Sequence, residues 1–172
     1  MSNSAEWYAI NTFIGKEKKV GQLIGKMGWE GIDVCCLSSI LIEKKNSLIK
    51  FKTRPMFQGY IFIRGSLDLN KYLRIRELCD VIGFVSSGHM PVSVTDVNII
   101  RLLDMAVHFP ENAIPESRIK IVDGRIKIVD GPLMGYERLI IKTALRHRRI
   151  YLGLKLFGYS YKVTLPAMLA AN

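Results

Sequence analysis

The chain has 172 residues, enough for one large or two small domains, and 49% of them are apolar. A net charge of +10 and a pI near 9.7 point to a polyanionic partner such as RNA, DNA or an anionic surface. No run of about 18 apolar residues occurs, so no transmembrane helix is expected. The opening Met1-Ser2-Asn3-Ser4 lacks the basic and apolar regions of a signal peptide. Cys35, Cys36 and Cys79 show no metal-ligand spacing and read as buried reduced thiols of a cytoplasmic protein.

Trp7 to Phe13 is a first strand, rich in ring-bearing and branched residues, ended by Gly15. Lys16 to Trp29 follows as a helix whose Val20, Leu23, Ile24 and Met27 form one apolar stripe. Asp33 to Ile42 reads as a strand, Lys44-Lys45-Asn46 as a turn, and Leu48 to Thr53 as the returning strand of a hairpin with a basic tip. The stretch Arg54 to Ile63 enters a central strand through Pro55 and Gly59. Tyr60, Phe62 and Arg64 share one side of that strand, and Ile61 and Ile63 the other. Both sides are apolar enough to be covered.

Asp68 to Cys79 is a second helix with Leu69, Tyr72, Leu73 and Leu78 facing inward. Val81 to Val85 is a short strand, and Ser86 to His89 a loop. Ser93-Val94-Thr95-Asp96 resembles a capping box opening a third helix with Val97, Ile100, Leu102 and Leu103 inward. Residues 108–117 hold Pro110 and Pro115 and no periodicity, which suits a linker between domains 1–107 and 118–172.

The heptapeptide Arg118 to Gly124 is repeated unchanged as Arg125 to Gly131. Seven is odd, so a slip by one copy reverses strand facing. The second copy runs into Gly131-Pro132 and reads as the first regular strand of the domain. The first copy is an extra edge strand or an entry segment. Leu139–Thr143, Ile150–Phe157 and Tyr161–Leu165 complete a run of short strands, which suits a small antiparallel barrel.

Charge is uneven along the chain. Residues 118–172 carry 11 Lys+Arg and 3 Asp+Glu, against 14 and 12 in residues 1–117. His89, His108 and His147 have no Cys or Asp partner in a catalytic spacing, and no phosphate-binding or metalloprotease motif is present. The chain therefore reads as a non-enzyme without a cofactor.

Trp7-Tyr8, the Phe57-Gln58-Gly59-Tyr60-Ile61-Phe62-Ile63 run, and Gly83-Phe84-Val85 followed by Pro91 resemble the N-terminal (NGN) domain of the NusG family of transcription elongation factors. Val129-Asp130-Gly131-Pro132-Leu133 and Leu156-Phe157-Gly158 resemble its C-terminal KOW domain. The family usually has proline at Gln58, glycine near Arg138 and arginine at Tyr159. These departures and the basic end resemble a specialised paralogue of the LoaP type, an antitermination factor of long operons.

The resemblance implies an α+β fold, a four-stranded antiparallel sheet flanked by helices followed by a five-stranded β-barrel. It also implies that the first domain docks on the clamp helices of RNA polymerase through Trp7, Tyr8, Phe13, Phe57, Tyr60 and Phe84. Of the rings, Trp7, Phe62 and Phe84 are expected inside, and Tyr8, Phe57 and Tyr60 at the surface.

The basic turn Arg146-His147-Arg148-Arg149, with Arg138, Lys142, Lys155, Tyr159 and Lys162 on flanking segments, suits a structured RNA hairpin. Arginine forks bind phosphate and base edges, and tyrosine rings offer stacking faces. Lys16, Lys19, Arg74 and Arg76 are solvated helix positions that could also face non-template DNA. An alternative is a coupling module that binds ribosomal protein S10 through the barrel. A third reading is a barrel that switches to a helical hairpin. The protein is expected to be a bacterial monomer that does not engage a membrane.

Overall fold

The computed structural model describes residues 5–171. The elements in chain order are β1 (Trp7–Thr12), α1 (Glu17–Gly25), β2 (Asp33–Cys35), β3 (Ser38–Lys45), β4 (Leu48–Pro55), β5 (Tyr60–Arg64) and α2 (Leu69–Arg76). Then come β6 (Val81–Phe84), β7 (Ser86–Ser87), β8 (Met90–Pro91), α3 (Val97–Ala106) and β9 (Ala113–Ile114). The remainder is β10 (Ser117–Val122), β11 (Arg125–Asp130), β12 (Ile140–Ala144), β13 (Arg149–Leu156) and β14 (Tyr159–Leu169). These elements form two compact units. One comprises the chain up to Leu37 with Phe57–His108; the other joins Ser38–Met56 to the chain from Phe109 onward. The hairpin of β3 and β4, expected from chain order inside 1–107, thus groups by contact with the C-terminal strands. Its partner there is β9, which pairs parallel with β3 inside the stretch expected as a linker.

The first unit is built on an antiparallel sheet of order β2-β5-β1-β6. Its register, Trp7 against Arg64 through Asn11 against Tyr60, fixes which residues share a face. Ile10, Ile61, Ile63 and Phe84 form a core with Val20 and Ile24 of α1 and Ile75 of α2. Each such aliphatic side chain removed from water contributes roughly 1.5–3 kcal/mol. The opposite face carries Trp7, Ala9 and Phe62, all buried. There α3 is tied to the sheet by Trp7 Nε1, which donates to Asp104 Oδ1 over 2.8 Å.

Helix facing departs from the expected stripes in α2 and α3. In α2 the residues turned inward are Tyr72 and Ile75, followed past its end by Leu78, whereas Leu69 and Leu73 are exposed. Tyr72 stacks on Phe84 with centroids 5.0 Å apart, and this contact sets the rotation of the helix. In α3 the cap is Asp96 itself, whose Oδ1 accepts from the amides of Asn98 and Ile99. The helix therefore starts after Asp96 and not after Ser93. Its buried stripe is Ile99, Leu102, Leu103 and Ala106, with Val97 outside.

In the second unit the sheet order is β11-β10-β14-β13-β12. The two identical heptapeptides pair with each other, Lys120 against Lys127 and Ile121 against Ile126, across a two-residue Asp123-Gly124 turn. Both turn residues have positive φ, 50° and 73°, as a tight hairpin loop requires. The first copy is an inner strand, bonded to β11 on one side and β14 on the other, and the second copy is the edge. This corrects the expectation that the first copy is peripheral. The edge is capped where Glu137 Oε1 accepts from the Ile128 amide. Leucines, isoleucines and valines of β13 and β14 fill the interior on alternate positions.

Candidate functional site

The Gly59 turn organises the first candidate surface. Gly59 has φ 79°, and its amide donates to Glu17 Oε1 over 2.7 Å. That carboxylate is 2% exposed, so the first turn of α1 carries a buried acceptor that holds the Phe57–Tyr60 bend in place. The Gly59 carbonyl in turn accepts from the Thr12 amide. Phe57 is pulled inside by this bend and meets Phe62 edge-on at 5.9 Å. The expectation that Phe57 stays at the surface is therefore corrected, while Trp7 and Phe84 are interior as expected.

The six rings do not form one surface. Trp7 and Tyr60 share the α3 side of the sheet, and Tyr8 and Phe84 share the α1–α2 side, because successive strand residues alternate. Tyr8 is half-buried against the core, and its hydroxyl donates to Glu6. Burial, helped by that carboxylate, raises the phenol's pKa above its ordinary value. Around the Gly59 turn, however, Phe13 and Ile14 are exposed beside half-buried Tyr60. Ile14 lies against the open side of Gly59. Sequence reasoning missed Ile14; the signal was an apolar pair, Phe13-Ile14, continuing past the strand into a glycine turn.

The second candidate surface is basic. The second unit holds 16 of the 25 Lys+Arg and 6 of the 15 Asp+Glu, which accounts for the whole net charge of +10 and leaves the first unit neutral. On the outer face of the five-stranded sheet, Lys142 and Lys162 sit 5.8 and 5.5 Å from the ring centre of Tyr151. Arg149, Tyr151 and Lys155 alternate with buried residues on β13 and so line that face. Tyr159 and Arg138 are exposed on neighbouring segments. The turn between β12 and β13 exposes Arg146 and His147, while Arg148 is held by Glu116. Arg148 adopts the left-handed region at φ 53°, which closes the tight turn into β13.

Among the weaker expectations, Lys19 is bound to Asp80 at 2.7 Å and Arg76 lies 5.5 Å from the Tyr72 ring centre. Lys16 and Arg74 are exposed. Of the cysteines expected inside, Cys35 is buried and Cys36 half-buried, but Cys79 is exposed. No metal-binding cluster of His, Cys, Asp or Glu occurs among the described residues. No helix among them is long and apolar enough to cross a membrane.

The family model for the transcription termination factor NusG matches residues 5–103, more than half of the chain. The chain belongs to the NusG family. NusG of Helicobacter pylori, a transcription termination/antitermination protein, is 25% identical over 161 residues, covering 89% of this chain and 90% of the relative. The Campylobacter jejuni protein of the same description is 26% identical over 165 residues, covering 92% of each. The solved structure of Thermotoga maritima NusG aligns over 94% of this chain and 93% of that one, with a TM-score of 0.58 and 24% identity. The expected arrangement, a helix-flanked sheet followed by a five-stranded barrel, is thus the observed NusG-type fold, the second part being a curled five-stranded sheet. Family membership makes the protein a transcription factor. The match also spans β3 and β4, so the hairpin that groups with the second unit belongs to the NusG-homologous region.

Proposed function

We propose that this NusG-family protein is a non-enzymatic elongation and processive antitermination factor of the LoaP type. It acts in the cytoplasm by gripping RNA polymerase with one unit and a folded nascent RNA with the other. The observation that carries the reading is the separation of charge: the entire +10 lies in one unit, and the other is neutral with an apolar turn. A neutral apolar surface suits a protein partner, and a basic one with ring faces suits a nucleic acid.

The polymerase contact is placed at Tyr60, Phe13 and Ile14 around the Gly59 turn, with Tyr8 on the other side of the sheet. Binding there to the closed clamp, and less well to the open one, shifts polymerase away from paused states by that difference in affinity. The RNA contact is placed on Arg149, Tyr151, Lys142 and Lys162 with Arg146 at the turn. RNA capture raises the local concentration of the factor beside polymerase.

A binding series tests the proposal. The full chain is titrated with a labelled RNA stem-loop at several salt concentrations. Affinity should fall with salt, with a slope near 0.7–0.9 per phosphate contacted. Lys142→Ala with Lys162→Ala should reduce both affinity and slope. A flat salt response, or capture of S10 by the barrel in the absence of any RNA binding, would favour the coupling function instead. Phe13→Ala with Tyr60→Ala should weaken polymerase binding and leave RNA binding intact.

A further inference from the structure

We infer that the tip of the β3–β4 hairpin and the turn between β12 and β13 form the two walls of one phosphate-binding cleft, which clasps the backbone of a folded RNA. This rests on the RNA-binding function proposed above and adds a second, non-KOW segment to it.

The cleft has a volume of about 570 Å³ and is lined by residues 42–45 on one side and 146–149 on the other. Both walls belong to one compact unit. The hairpin is anchored there by its pairing with β9 and by Ser39, whose hydroxyl donates to the Thr164 carbonyl over 2.9 Å. At the floor, Arg149 Nη2 donates to the Ile42 carbonyl over 3.3 Å, which joins the walls directly.

The lining residues include five Lys or Arg and one carboxylate, Glu43. That carboxylate is already engaged: Arg54 bonds it at 2.5 Å and holds its pKa below the usual carboxylate range. Arg148 is likewise engaged by Glu116. Lys44, Lys45 and Arg146 are exposed and make no ion pair among the described residues. The Nε of Arg149 is buried and has no hydrogen-bond acceptor among the described residues. A buried N–H without an acceptor is costly unless a ligand or water supplies one. A phosphodiester oxygen is an acceptor of the right charge, and arginine binds it in a fork.

Two basic walls facing each other fit a backbone that enters between them better than a flat protein surface. The outer face of β13 continues the track from Arg149 to Tyr151 and its two lysines. A duplex stem could lie along that face with one strand's phosphates in the cleft. Exposed Phe51 on β4 adds a ring on the hairpin side where an unpaired base could stack.

The test uses the full chain, a labelled RNA stem-loop and a DNA duplex of matching sequence. Lys44→Ala with Lys45→Ala lies at the exposed end of β3 and should leave the fold, read by circular dichroism, unchanged. It should lower RNA affinity at low salt by about tenfold and reduce the salt slope by about one to two. Arg146→Ala should act in the same direction. If Arg146→Ala weakens RNA binding while the lysine pair leaves affinity and slope at wild-type values, the hairpin wall is not a contact and the inference fails. If neither variant, nor Lys142→Ala with Lys162→Ala, changes binding, the RNA function itself falls. Equal affinity for the DNA duplex would overturn the assignment to RNA.

Discussion

Glu17 illustrates how one side chain can fix a functional surface from a distance. Its carboxylate is buried and accepts from the Gly59 amide, so the turn that presents Tyr60 depends on the first turn of α1. Glu17→Ala should leave that amide without an acceptor and destabilise the first unit by about 1–3 kcal/mol. Glu17→Gln, which keeps an acceptor, should cost less. Urea unfolding of the three proteins would show the order. Asp68 makes a prediction about pH. It accepts first from the Lys71 amide and then from the Lys71 ammonium, and both hold its pKa below the ordinary carboxylate value. A carboxyl depressed in the folded state adds stability above its unfolded pKa, near 3.9, and loses it as pH falls through the folded one. Asp68→Asn keeps the cap but not the charge. Its melting temperature should lie below the wild type at neutral pH and converge with it as the solution becomes acidic. If Asp68 contributes only as a hydrogen-bond acceptor, the two proteins should melt at the same temperature at every pH.

At the scale of elements, the tandem heptapeptide gives a comparison that few proteins allow. Ile121 and Ile128 occupy the same place in identical seven-residue strings, yet Ile121 is 56% exposed and Ile128 is 2% exposed. The cause is position along the hairpin: Ile121 pairs with Ile126 beside the turn, whereas Ile128 pairs with buried Ile119 farther from it, so the two share a face of the sheet but not its depth of cover. Ile128→Lys should therefore destabilise the second unit by several kcal/mol, since it buries an unpaired charge. Ile121→Lys should stay within about 0.5 kcal/mol of wild type. Equal effects in thermal unfolding would mean that the strands exchange places. The repeat and its Asp-Gly turn were legible in the sequence. The inner position of the first copy was not, because nothing in a repeat says which copy meets β14. The same limit appears in α2. Periodicity offered Leu69 and Leu73 as core, but the ring of Tyr72 stacking on Phe84 chose a different rotation, and Ile75 took the interior. Helix existence and type followed from local pattern; helix facing was decided by a long-range contact.

For the whole molecule, chain order proved a poor guide to charge. Read along the sequence, the last 55 residues carry +8; grouped in space, the second unit carries all +10, because the hairpin adds five Lys or Arg and one Glu while Glu111 and Glu116 of the connecting stretch offset two of those charges. The ring residues and the basic turn were visible in the sequence, but their separation into two faces and the pairing of the turn with residues 42–45 required the fold. So much like charge in one unit repels itself, and the neutral unit has no such penalty. Calorimetry over increasing salt should show the transition of the second unit moving upward as screening shortens the Debye length from about 10 Å at 0.1 M toward about 3 Å at 1 M. The first unit's transition should move little. Lys44, Lys45, Lys50 and Lys52 replaced together by Gln remove four charges from exposed positions on the hairpin. That variant should unfold at a higher temperature than wild type at low salt and match it at high salt. A variant that tracks the wild type at every salt concentration would show that the repulsion is already relieved within the native protein. Its basic excess could then not be the driving force for binding a polyanion.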